Sequence, residues 1–426
     1  MQRHEKSAEH YTTLHQLVVM FEIINLIYRY FSDTLFHETV MRAKVIGMKK
    51  MWSYNNPVRI LFGNDGFASI ASLIDGRTYA LVTYPDAPFQ TLTEYLTEAA
   101  GKPLIVVNDI APNPDCMLLS EQSARFNSVT SRPEVIVALG GGSVIDSAKV
   151  FAAAAGDFGK VLRHLETGSG GSGLSAIPII AVPTTAGTGS EVTSWATVWD
   201  EQRGLKFSLV RDNLYPEIAV IDPTLMLGKP YGLTLATGLD ALSHSIESIW
   251  NINANPVSAR HAVAAASTIL ADLPKLLRDL GNLDLRNRIA EASLNAGLAF
   301  SNTKTAIAHN LSYPITLGWG VQHGIACSFA LPTVLRSVIG VGGFRETALK
   351  QIFGEDLGHG ADNLTDFLAS LGVGHRFADH SIPDAACIKI IDEAFNGERG
   401  KNFIGSKESF LKAATQSGVF NCNLNN

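Results

Sequence analysis

Between residues 54 and 222 the chain alternates short apolar runs with longer stretches in which apolar residues recur at helical spacing. The runs at 79–83, 104–107, 135–138, 179–182 and 218–221 are rich in Val, Ile and Leu, with little polar alternation. Such runs suit strands buried on both faces of a parallel sheet, because a strand with one wet face would alternate. Helical stretches and Gly/Pro turns separate them, which is the βαβ rhythm of an open α/β sheet. After about Asp222 the texture changes. Residues 239–250, 256–280, 285–300 and 305–313 read as helices with few strand-like runs between them. The pattern predicts a Rossmann-like α/β domain over 51–222 and an all-α domain over 223–426, divided near Pro223. The run at 168–175, GSGGSGLS, predicts a surface loop.

The first fifty residues stand apart. Residues 17–36 are rich in Leu, Ile, Val, Phe and Tyr, yet Glu22, Asn25 and Arg29 interrupt them. A spanning helix needs about twenty mostly apolar residues, and this run is too broken. Nor does it read as a signal peptide, because His and Glu precede it and no small-residue cleavage site follows. Residues 1–50 read either as an amphipathic helix for docking or oligomer contact, or as an extension outside the fold. The recognisable pattern begins near Met48 or Met51.

Composition narrows the classes. At 426 residues, with 46% hydrophobic and 17% charged residues, the chain has enough apolar material for a sizeable core and two domains. A net charge of -6 argues against a nucleic-acid or anionic-membrane partner. The four cysteines, Cys116, Cys327, Cys387 and Cys422, have no CxxC spacing, which fits a reducing cytoplasm rather than a disulfide framework.

Candidate chemistry lies at two turns and one cluster. Gly140, Gly141, Gly142 and Ser143 follow a strand and open a helix. Glycines there let backbone approach a ligand closely, and the helix start offers free N–H groups to a pyrophosphate. The spacing is not GxGxxG, so the turn taken alone reads equally well as a tight βα connection. The second turn, PTTAGTGSEVT at 183–193, also follows a strand and is expected to lead into a helix. Its hydroxyls outnumber what an N-cap needs. Two such loops at carboxyl strand ends mark a ligand crevice. Further on, Asp240 and His244 stand four apart on one helix face, and His309 and His323 follow. Asp plus three His is a plausible first shell for Fe²⁺ or Zn²⁺, although any one of these histidines taken singly reads as a core or surface residue.

These motifs resemble those of the iron-containing (group III) alcohol dehydrogenases. GGGSxxDxxK, PTTAGTGSEVT, GxDALSHxxE and the two later histidines occur in that family's order and spacing, from Met51 to about Phe420. The resemblance implies a Rossmann-like N-terminal domain, a helical C-terminal domain of the dehydroquinate synthase-like plan, and an active site in the cleft between them. It implies Asp240, His244, His309 and His323 as metal ligands, for Fe²⁺ or Zn²⁺. It assigns Gly140, Gly141, Gly142 and Ser143 to the pyrophosphate and Asp146 to the nicotinamide side. Thr184, Thr185, Thr188, Thr193 and Lys206 would contact NAD(H) or NADP(H). A homodimer is common in such enzymes.

Two positions depart from that pattern. Tyr313 stands where many members carry a proton-relaying histidine, and an ordinary phenol near pH 10 is a poorer shuttle. Tyr84 replaces the acidic residue that often ends the second strand of NAD-preferring members, so NADP(H) stays open. Lys304, five positions before His309, is expected on the same helix and near the substrate, where its charge would suit a phosphonate tail. With the SNTK-TAIAHNLSYP stretch, it resembles the phosphonoacetaldehyde reductase branch, which makes 2-hydroxyethylphosphonate. The alternatives are a short-chain alcohol, diol or lactaldehyde dehydrogenase, an NAD- and metal-dependent lyase of dehydroquinate synthase type, or an inactive member of the fold. A solvated Lys304 on the outer helix face is the plainer reading of that residue.

Overall fold

The structure, a computed structural model, describes Glu22 and residues 51–129 and 131–420. The expected extension at 1–50 therefore lies outside the described residues. From Tyr54 onward the chain packs as one unit.

Six parallel strands form the sheet: β1 (Arg59–Phe62), β2 (Tyr79–Val82), β3 (Ile105–Val107), β4 (Val135–Gly140), β5 (Ile179–Pro183) and β8 (Ile218–Ile221), in the order β1-β8-β5-β4-β2-β3. Successive residues of a strand point to opposite faces, and here both faces are covered. Ala80, Val82, Ile136, Ala138 and Ala181 pack into one apolar cluster. Leu81, Val135, Val137, Leu139, Ile180, Val182 and Val220 pack into the other. The unbroken apolar runs are thus explained by two-sided burial. Between the strands lie α1 (Ile70–Ile74), α2 (Ala87–Ala100), α3 (Cys116–Arg125), α4 (Gly142–Ala154) and α5 (Phe158–Thr167).

Strand β1 lies outside the expected set, and two expectations are corrected. β1 pairs with β8 along one edge, although its sequence, RILF, is too short to stand out. The threonine turn does not lead into a helix. After a single 3₁₀ turn at Ser190–Val192, the chain forms an antiparallel hairpin of β6 (Trp195–Asp200) and β7 (Leu205–Val210). Ala196 and Val198 are buried on one face, the alternation a half-covered strand requires. The second correction concerns Lys304 and is set by the helices.

The second half is helical: α6 (Tyr231–Glu247), α7 (Pro256–Arg278), α8 (Leu283–Thr303), α9 (Ile307–Trp319), α10 (His323–Ser328), α11 (Leu331–Ser337), α12 (Gly343–Phe353), α13 (Leu357–Ser370), α14 (Asp384–Asn396) and α15 (Lys407–Gln416). Leu239, Leu242, Ile246, Ile269, Ala296, Leu311 and Phe329 belong to its core. Helices α8 and α9 are separate. Lys304 sits just beyond the end of α8 with φ at 63°, its carbonyl accepts from Asn251 Nδ2 at 3.1 Å, and its side chain is exposed. The break turns that side chain away from the direction a continuous helix would give it. Among the described residues no helix is long and apolar enough to cross a membrane.

Candidate active site

Helix α6 carries Asp240 and His244 one turn apart, both buried, as the i, i+4 relation requires. Helix α9 adds His309 from its first turn, and α10 begins with His323. The Nε2 atoms of His244, His309 and His323 lie 3.8, 3.4 and 4.0 Å from Asp240 Oδ1. Every Nδ1 is turned outward to a partner: His244 to the Gly187 carbonyl at 3.3 Å, His309 to Glu247 Oε2 at 2.5 Å, and His323 to Ser312 Oγ at 3.4 Å. That tautomer control leaves Nε2 facing Asp240, which is how metal-binding imidazoles are oriented. Asp240 Oδ1 and His309 Nε2 are buried and have no hydrogen-bond partner among the described residues. Orphaned buried acceptors at one point are costly, and a divalent cation would satisfy both. The donor set therefore fits such an ion. Burial works against charge on Asp240, yet His244, His309 and His323 hold its carboxyl well below the usual range. Burial pushes His244 down to about 3; burial also works against charge on His309, yet Cys327, Glu247 and Asp240 hold it well above its ordinary value.

The close approach of α10 to α6 depends on Gly324. A Cβ there would meet the Ala236 carbonyl oxygen at 1.9 Å and Asp240 Cβ at 3.2 Å. No side chain fits between the helices, so glycine after His323 sets the distance from His323 to Asp240.

The glycine turn faces this cluster across a cleft. Gly142 and Ser143 open α4 into it, so their N–H groups have no intrahelical partners and face the cleft. The glycines are needed for approach and not for positive φ, since Gly141 has φ at −77°. A Cβ on Gly142 would lie 2.7 Å from Thr188 Oγ1, so glycine lets the two turns touch. Thr188 and Thr193 line the cleft with Asp146 and Lys206. Gly140, Gly141, Thr184 and Thr185 are not among the residues that line it. The Gly140 carbonyl accepts from the Thr184 N–H at 3.0 Å, and Thr185 borders a smaller neighbouring pocket. Asp146 ties the turns together, accepting from Ser190 Oγ at 2.5 Å and the Thr197 N–H at 2.8 Å.

Two cations line the same cleft. Lys206 Nζ lies 3.2 Å from Tyr313 Oη and 3.2 Å from Ser208 Oγ. The Arg399 guanidinium sits 5.9 Å from the centroid of the Trp195 ring. Among the described residues neither has a carboxylate partner. Burial pushes the Tyr313 phenol up, but Lys206 and Arg399 more than offset this and hold it at about 8. Lys304, expected here, is not among the lining residues.

Comparison with known proteins accounts for this arrangement. Residues 57–223 match the family model "iron-containing alcohol dehydrogenase", and 234–409 match the C-terminal model of the same family. The chain is 32% identical over 301 residues to the 1,3-propanediol dehydrogenase of Klebsiella pneumoniae, covering 67% of this chain and 75% of that protein. The chain belongs to the iron-containing alcohol dehydrogenase family. It is 36% identical over 240 residues to the phosphonoacetaldehyde reductase of Streptomyces viridochromogenes, covering 55% of this chain and 60% of that protein. The fold matches the sulfoacetaldehyde reductase of Bifidobacterium kashiwanohense, solved with NAD+, with a TM-score of 0.79 and 27% identity. That match covers 87% of this chain and all of the other (100%). The matched stretch spans 52% to 77% of the length of the curated relatives.

Within this iron-containing dehydrogenase frame, the sequence reading gave no role to four residues. Glu247 is the last position of GxDALSHxxE and supports His309. Lys149 closes GGGSxxDxxK; buried, its Nζ donates to the Ser190 and Trp195 carbonyls at 2.7 and 2.8 Å and to Ser190 Oγ at 2.9 Å. Glu247 lies three residues after His244 and Lys149 three after Asp146, one helical turn in each case. Cys327, one turn after His323, and Arg399, in no motif, were recognisable only in three dimensions.

Proposed function

We propose that this protein is a metal-dependent, NAD(P)-linked aldehyde reductase and alcohol dehydrogenase whose preferred substrate is a short aldehyde with an anionic tail, such as phosphonoacetaldehyde. The observation that carries the reading is the convergence of three imidazole Nε2 atoms on Asp240 Oδ1, facing the first turn of α4.

Asp240, His244, His309 and His323 would hold a ferrous ion, with Zn²⁺ the alternative. The first turn of α4, Thr188, Thr193 and Lys206 would hold NAD(H) or NADP(H). When bound, these groups supply a Lewis acid for the substrate oxygen and a hydride exchanged with the adjacent carbon. The chain's own residues supply position and proton handling. Glu247 fixes the His309 ring, and Asp146 holds the two turns in register. Tyr313 Oη, beside Lys206 Nζ at the cleft, is placed to donate a proton to the nascent alkoxide during reduction. Trp195, Trp199 and Phe300 line the cleft and exclude water from the reacting atoms.

Arg399 supports the anionic tail, because a cation with no carboxylate partner beside the reacting centre suits a phosphonate or sulfonate. It takes the place first given to Lys304. Two of the relatives bear names of reductases for such aldehydes. The uncharged-substrate reading rests on the 1,3-propanediol dehydrogenase, whose match runs longer. The deciding experiment compares NADH and NADPH oxidation with phosphonoacetaldehyde and with propanal, in the wild type and in Arg399→Ala. A rise in KM of about tenfold or more for the phosphonate alone, the scale of one charge-assisted contact, is expected. Equal activity on both aldehydes, with no effect of the substitution, would leave an ordinary short-chain alcohol or diol dehydrogenase.

A further inference from the structure

We propose that Lys229 holds the adenosine 2′-phosphate of the dinucleotide and gives the enzyme a preference for NADP(H), an inference that rests on the cofactor reading of the two turns.

Direction comes first. With the pyrophosphate on the first turn of α4, the nicotinamide lies toward the Asp240 cluster. The adenosine half then extends away from the cluster, past the carboxyl end of β2, which lies beside β4 in the sheet. Dinucleotide-binding folds read the ribose there, with a carboxylate for a free 2′-hydroxyl and a cation for a 2′-phosphate. Here the chain runs on from β2 through Thr83 to Tyr84. Burial raises the Tyr84 phenol, so it stays neutral and does not repel a phosphate. Its hydroxyl reaches Ser143 in the first turn of α4, and a Cβ on Gly141 would lie 3.6 Å from it.

The cation comes from a different element. Lys229 stands two residues before α6, and its Nζ lies 5.0 Å from the centroid of the Phe89 ring. Phe89 packs edge-on against Tyr84, with centroids 5.1 Å apart. Lys229 and Tyr84 therefore flank one ring beside the end of β2. Lys229 also lines the small pocket that Thr185 borders, together with Thr234 and Arg286 and with no carboxylate. Arg286 is buried and fixes this corner. Its Nη1 donates to Thr234 Oγ1 at 3.1 Å, and its Nη2 donates to the Lys229 carbonyl at 3.3 Å. Among the described residues Lys229 forms no ion pair, and Asp86, the carboxylate that acts on its charge, is exposed. Burial and the Arg286 guanidinium hold the Lys229 ammonium below its ordinary value, a penalty that a bound phosphate would relieve. NAD(H) leaves this positive corner unmatched, whereas NADP(H) brings the anion it lacks.

The test is calorimetric titration of NADP+ and of NAD+ into the metal-loaded full chain, because the two differ only in the 2′-phosphate. The wild type is expected to bind NADP+ about tenfold more tightly, the scale of one charge-assisted contact. Lys229→Met is expected to lose that difference through weaker NADP+ binding. In the wild type the difference is expected to shrink as salt rises, a reading that holds even if Lys229→Met fails to fold. Equal affinities or tighter NAD+ binding in the wild type would overturn the inference and leave the cofactor reading standing. So would an NADP+ preference that survives Lys229→Met or ignores salt. Binding of neither dinucleotide would overturn the cofactor reading and this inference with it.

Discussion

At the residue scale, each imidazole of the cluster has its Nδ1 engaged, but only His309 has a carboxylate behind it. Glu247 Oε2 meets that Nδ1 at 2.5 Å, and the carboxylate also accepts the N–H groups of Ala306 at 3.1 Å and Ala308 at 2.6 Å. Glu247 thus places the start of α9 as well as the ring. Glu247→Gln is expected to weaken metal binding by about 10- to 100-fold while leaving the fold intact. Competition with a calibrated chelator measures this, and an unchanged affinity would show that His309 needs no carboxylate. How far such residues were legible depended on sequence distance. Asp240 and His244 declare themselves by i, i+4 spacing. Glu247 shares their helix, but its role depends on His309, 62 positions away. Lys304 misled because a spacing argument assumes an unbroken helix, and the chain breaks there. Arg399 reaches the cleft from a loop that no periodicity marks.

At the element scale, the site is an approach of α10 to α6 with room for nothing between them. Gly324→Ala would put a methyl group on the Ala236 carbonyl, so the helices must separate. The expected cost is about 1–3 kcal/mol of stability, with loss of bound metal as His323 withdraws. Thermal unfolding with metal analysis reads both, and a variant with full metal content and unchanged Tm would contradict this account.

The threonine turn carries a second element-level consequence. Burial raises the Glu191 carboxyl from 4.5 to about 7. A raised folded value means that the folded protein holds an extra proton between those limits. Stability from this group is therefore present below about 4.5 and is lost as pH rises through about 7. Glu191→Gln keeps the shape without the titration, so its stability profile should be flatter between pH 5 and 7 by denaturant unfolding. Parallel profiles for the two proteins would count against a buried, protonated Glu191. At this scale the central strands and the helical half were readable from unbroken apolar runs and helical spacing. The β6–β7 hairpin was not, because its turn, EQRG, lacks a strong hairpin signal and the preceding Ser/Thr-rich run resembles a helix start.

At the scale of the whole molecule, the carboxyl ends of β4 and β5 present the glycine and threonine turns to the ends of α6, α9 and α10. Cofactor and metal chemistry are thereby brought to one cleft, and Arg399 and Lys206 give it positive charge. The reading proposed for the Asp240 cluster is a divalent ion on which reduction depends. It is tested most directly by anaerobic NADH and NADPH oxidation with phosphonoacetaldehyde, using chelator-stripped full chain before and after one equivalent of Fe²⁺. No turnover is expected before addition, restored turnover after it, and none at either stage for Asp240→Asn. Turnover in the stripped protein, or in Asp240→Asn, that matches the iron-loaded wild type would contradict it.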